Sequence, residues 1–162
     1  MTAYRPILAT RQALRIAEVR RVLAGAGIAA DLTVVHPEEL ERAVAEAGNC
    51  LVIVDGEFLP KPDELVRLRR LSPGSYVVIW TEHLSTEMLL ATMELGLHGL
   101  LSSRLPPEEA ACALRRICRG ERMLRFDSRP EPRQQNARVA AESSFDAQWM
   151  LHGAADSQGR KK

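Results

Sequence analysis

The stretch LVIVDGEFLP, residues 51–60, is an apolar run that stops at an acid. Leu51, Val52, Ile53 and Val54 show none of the polar alternation of a half-solvated strand, so the run reads as a strand buried on both faces. Asp55 and Gly56 close it, and Pro60 follows in the loop. An acid-glycine pair at this place is an ordinary turn signal. It is equally what a reactive carboxylate at the tip of a buried strand looks like. The flanking sequence bears on the choice.

Working outward, strands and helices alternate. RPILAT (5–10) is a short apolar run, and residues 11–27 carry Leu14, Val19, Val22 and Leu23 at near-helical spacing before a glycine stop. Residues 28–35 read as a strand, and Pro37 suits the first turn of a helix over 37–48. After the central run at 50–55 come a helix over 61–74 and the strand SYVVIWT (75–81), rich in β-branched and aromatic residues. A helix over 85–99 opens on a cap of the S/T-x-x-E kind, a short strand follows at 100–103, and a helix at 106–121 starts with proline and stops at Gly120. Five strand–helix units with no room for tight hairpins predict a doubly wound α/β domain with a five-stranded parallel sheet and helices on both faces, over residues 4–124. From 125 to 162 the chain is rich in Pro, Gln, Ser, Gly and charge and reads as a flexible tail, with a short helix at 137–152 as the one candidate element.

Composition narrows the function. The chain has 162 residues, enough for one well-buried core, and a net charge of +1, without the basic excess of a general nucleic-acid binder. No apolar run approaches a bilayer span, and the first ten residues lack a signal-peptide layout. Cys50, Cys112 and Cys118 form no CxxC pair, which suits reduced thiols and a cytoplasmic location. The four histidines are scattered, so no metal site is expected from them. Gly25 and Gly27 follow a helix, not a strand, and read as helix termination and not as a dinucleotide loop.

Residues 77–124, VVIWTEHLSTEMLLATMELGLHGLLSSRLPPEEAACALRRICRGERML, resemble the receiver domain of bacterial response regulators of the NarL/FixJ type. The hydroxyl residue after the fourth strand, the spacing in MELGLHGLL, the PEE helix start and the closing RGERML carry the resemblance; residues 7–27 add a second match. The resemblance implies a CheY-like, flavodoxin-like sheet of order 2-1-3-4-5, with chemistry at the carboxyl ends of the strands. It implies a phosphoacceptor at Asp55, phosphorylated by a histidine kinase, and a hydroxyl partner at Thr81. It also implies an acidic pair for Mg²⁺, but those positions hold Thr10 and Arg11, and the usual lysine position holds Ser103. Pro60 comes five residues after Asp55 where the family usually has four.

One carboxylate among neutral groups makes a poor Mg²⁺ site, so no cofactor is expected. Arg11 is expected to pair with Asp55, or with Glu82 beside it, and to take over part of the metal's electrostatic role. The expectation is an atypical receiver in two-component signal transduction that is not an enzyme and works through protein contacts. Two alternatives stand beside it: a working phosphoacceptor at Asp55, and a shortened LuxR-type DNA-binding regulator. About 38 residues after the receiver are too few for a linker and a helix-turn-helix, so DNA is not expected as a partner of this chain, nor is a membrane. The expected partners are a histidine kinase, another protein, or a second copy. The last would meet through the helix at 85–96, the strand at 100–103 and the helix at 106–119, a face offering Met88, Leu89, Met93, Leu97, Leu101, Leu105 and Ile117.

Overall fold

A computed structural model describes residues 4–28 and 31–126. A compact unit spans Met1–Asp127. The expected helix over 137–152 lies outside the described residues. The strands are β1 (Arg5–Ala9), β2 (Thr33–Val35), β3 (Cys50–Asp55), β4 (Tyr76–Thr81), β5 (Gly99–Ser102) and β6 (Met123–Arg125). The helices are α1 (Ala13–Ala26), α2 (Leu40–Ala47), α3 (Pro62–Leu71), α4 (Thr86–Glu94) and α5 (Pro107–Ile117). Single 3₁₀ turns at Pro37–Glu39 and Gly56–Phe58 precede α2 and α3.

All strand pairs are parallel and the order is β2-β1-β3-β4-β5-β6. Every residue of β3 is buried, because it lies at the middle of the sheet with helices on both faces. Side chains alternate between two cores. Leu8, Leu51, Ile53, Val78, Trp80 and Leu101 pack with Val19, Val22, Leu23 and α5 on one face. Ile7, Val52, Val54, Val77, Ile79 and Leu100 pack with residues of α2 and α3 on the other, where α4 adds Met88 and Leu89.

The sheet has six strands, one more than expected. Residues 123–125 pair with β5 in parallel, with Gly99 opposite Met123 and Leu101 opposite Arg125. Three residues are too few to show a period, so the strand exists because β5's outer edge holds it. It carries Met123 into the core, and Phe126 packs beside it on the other face. β2 is shorter than the expected 28–35, since β1 offers it only Ile7, Leu8 and Ala9 as partners. Gly27 ends α1 at φ 67°, a left-handed cap that costs a glycine least.

The expected contact face is also altered. Leu97, Leu101, Leu105 and Ile117 belong to the core, and β6 lies along the edge that β5 would otherwise present. The large apolar side chains that remain exposed on α4 are Leu90, 50% accessible, and Met93, 62% accessible.

Candidate functional site

At the carboxyl ends of β1, β3 and β4 the side chains of Thr10, Asp55 and Thr81 are all buried. Asp55 is in phase with Leu51 and Ile53, so its carboxylate turns toward α1. Both of its oxygens are engaged. Thr10 Oγ1 donates to Oδ2 at 2.7 Å, and the Glu57 amide donates to Oδ1 at 3.2 Å, capping the 3₁₀ turn. Thr10 is itself fixed by the Gln12 amide, which donates to its hydroxyl at 3.0 Å.

The charge on Asp55 is met by Arg15. Its Nε stands 3.5 Å from Asp55 Oδ2, with the arginine 4% and the aspartate 0% exposed. The contact is coulombic: Nε is buried and makes no hydrogen bond, while Nη1 donates to Glu18 Oε2 at 2.8 Å. Arg15 sits in the first turn of α1, and helical side chains lean back toward the helix N-terminus, here toward the strand ends.

Arg11, the expected partner, is elsewhere. It lies before the helix, half exposed, pairs with Glu38 and places its guanidinium carbon 5.9 Å from the centre of the Phe58 ring. The reason is register: Thr10 and Gln12 are tied inward by the hydroxyl bond, so the residue between them faces out. Glu82 is exposed and meets Arg104 at 3.4 Å, away from Asp55. Ser103 is half-buried, and its amide donates to the Thr81 carbonyl at 2.8 Å. Thr81 turns its hydroxyl to the loop, donating to the His83 carbonyl at 2.8 Å. Gly56 packs against it, and a Cβ at that glycine would lie 2.7 Å from Thr81 Cβ. The structure therefore gathers Thr10 and Asp55 in one cluster, with Thr81 on the adjacent strand end, and leaves Arg11 and Glu82 outside it.

Sequence reasoning missed Arg15 because Leu14 took its place in the helical pattern. Leu14 is 71% exposed. The buried positions run Arg15, Val19, Val22, Leu23, Ala26, one residue out of step with a face that begins at Leu14. Extending the phase of 19, 22 and 26 back by one turn reaches 15, which was the available signal.

A divalent cation fits this donor set poorly. Mg²⁺ takes oxygen ligands, and the cluster offers one carboxylate already hydrogen-bonded to a hydroxyl and an amide and facing a guanidinium. The unpartnered buried polar atoms among the described residues are Arg15 Nε and Trp80 Nε1, both N–H donors that a cation cannot use. Among the described residues no group of three or more His, Cys, Asp or Glu is placed to hold a metal.

No family's sequence profile and no curated protein matches the chain. Solved structures do. A two-component response regulator of the LuxR family from Aurantimonas sp. is 21% identical, with a TM-score of 0.65 over 78% of this chain and 91% of that one. The fold is that of the response-regulator receiver domain. A pilus assembly-related protein of Burkholderia pseudomallei is 24% identical, TM-score 0.62, covering 75% of this chain and 93% of that one. A CheY-like protein, TadZ, of Pseudomonas aeruginosa is 18% identical, TM-score 0.56, covering 70% and 98%. At such identities the likeness is one of fold, and the order β2-β1-β3-β4-β5 is the CheY-like order, with β6 added to its edge. Among the described residues no helix is long and apolar enough to cross a membrane.

Proposed function

We propose that this chain is a receiver-fold regulatory module that acts by protein–protein contact, without magnesium-dependent phosphorylation of Asp55. The observation that carries the proposal is the Arg15–Asp55 pair. Phosphoryl transfer to a carboxylate needs an accessible oxygen and a cation that also reaches the incoming phosphoryl group. Here Asp55 is fully buried, its Oδ2 is taken by Thr10 and Arg15, and its Oδ1 by the Glu57 amide. Arg15 supplies a fixed positive charge from the protein side, and arginine does not lose it. The site so built is a permanently neutralised strand end and holds one state.

The fold's other users are consistent with a contact role. Its structural neighbours include pilus assembly proteins as well as two-component regulators, so the fold by itself does not dictate phosphotransfer. The partner-facing surface we assign is α4, where Leu90 and Met93 are exposed. A second copy or a kinase-side protein are the partners that this surface suits.

One observation favours the alternative of a working phosphoacceptor: Asp55 and Thr81 occupy the two strand ends that phosphotransfer in this fold would need. A titration separates the two. With Mg²⁺ added to millimolar levels, the proposal expects unchanged amide NMR shifts at Gly56, Glu57 and Thr81. Saturable shifts confined to these residues support the phosphoacceptor.

A further inference from the structure

At the amino ends of the strands, opposite Asp55, two arginines from distant parts of the chain converge on one turn. Arg69, in the last turn of α3, donates from Nη1 to the carbonyl of Gly96, between α4 and β5. Arg122, just before β6, approaches the same turn. A Cβ on Gly96 would stand 3.3 Å from Arg122 Nη2 and 3.7 Å from Arg69 Nη1. Gly96 adopts φ 62°, so the turn is kept bare of a side chain beneath the two guanidiniums.

What sets these two apart from the other arginines without an ion pair is that they meet over the same turn. Arg11, Arg15, Arg42, Arg67, Arg104 and Arg116 each face an acid. Among the described residues neither Arg69 nor Arg122 has a carboxylate within ion-pair reach. Two like charges held over one turn without a counter-charge create a positive field. His98 lies beside the same turn. Its Nδ1 accepts from the Val77 amide at 3.1 Å, and burial followed by the charges of Arg69 and Arg122 pushes it down to about 4.

We propose that the Gly96 turn binds a phosphate-type dianion between Arg69 and Arg122. A guanidinium is a planar fork that matches phosphoryl oxygens, and a tetrahedral dianion can engage forks from two sides where a planar carboxylate fills only one. Arg69 uses one N–H on Gly96 and keeps others for a ligand. The phosphate belongs either to a soluble ester or to a lipid headgroup, and the recognition chemistry is the same. The site is at the other end of the sheet from Asp55 and does not depend on how that acid behaves.

The test uses the full chain. Inorganic phosphate is titrated at constant ionic strength, with chloride as the control, while amide NMR shifts are followed. In parallel, the chain is sedimented with phosphatidylcholine vesicles with and without phosphatidic acid. The expected result is a saturable shift at Gly96, His98 and Arg122 and an upward move of His98's titration. Arg122→Gln, at an exposed position that leaves the fold intact, weakens binding by about tenfold, and Arg122→Lys, which keeps the charge without the fork, falls between. Saturation with inorganic phosphate alone assigns a soluble ester. Arg122-dependent sedimentation with the phosphatidic acid vesicles alone assigns a lipid. No phosphate-specific shift together with no preference for the acidic vesicles overturns the site, as does equal affinity in Arg122→Gln.

Discussion

Asp55 is fully buried, with the Arg15 guanidinium beside it. An unpaired carboxylate there would be costly, and Arg15 is what makes it tolerable. Removing one partner of such a pair leaves the other buried and uncompensated. Arg15→Met is therefore expected to lower stability by about 3 kcal/mol in urea unfolding, and adding Asp55→Asn to recover most of that loss. A single-variant loss no larger than that of an exposed ion pair would contradict the pairing. His98 gives a second test at this scale. Its pKa is pushed from 6.5 to about 4, by burial first and the two arginines next. Below 6.5 the unfolded chain takes up a proton that the folded chain refuses, so His98's contribution is whole above 6.5 and is lost as pH falls toward 4. Because the ring is only partly buried, that loss is on the order of 1 kcal/mol, and it should vanish in His98→Gln. The acid at 55 was legible from the sequence, since an apolar run led straight to it. Its cationic partner was not. Hydropathy ranks Leu14 above Arg15 for burial, and only the position of α1's axis over the strand ends reverses that order.

Among the elements, β3 and β4 were read almost residue for residue, because buried parallel strands carry their signal in every side chain. Their carboxyl ends are locked together by Gly56. A methyl group there would lie 2.7 Å from Thr81 Cβ and 2.8 Å from its hydroxyl. Gly56→Ala should cost about 1–3 kcal/mol through overpacking, read from the shift in urea midpoint, although the backbone angle itself is ordinary. β6 was illegible for the opposite reason. It is three residues long, two of them exposed, and owes its existence to a neighbour's unpaired edge. Its one anchor is Met123, 6% exposed. Met123→Ala should lower stability by about 2 kcal/mol and speed amide exchange along β5, whereas unchanged exchange there would mean that β6 does not protect that edge.

Across the whole molecule, a net charge of +1 conceals a two-ended distribution. First turns of helices carry acids, among them Asp63, Glu64, Glu87, Glu108 and Glu109, while the last turns of α3 and α5 carry Arg69, Arg70, Arg115 and Arg116. Each choice favours its own helix dipole. Since the helices return antiparallel to the strands, these first-turn acids lie at Asp55's end of the sheet and these last-turn arginines at the opposite end, the end of the Gly96 turn. The receiver fold thus presents one end that has internalised its cation and another that has cations to spare. The first end bears the central claim, and intact mass tests it most directly. Incubated with acetyl phosphate and Mg²⁺, the wild-type chain is predicted to keep its mass, as Asp55→Asn does. A Mg²⁺-dependent gain of one phosphoryl group, absent from Asp55→Asn, would contradict the account.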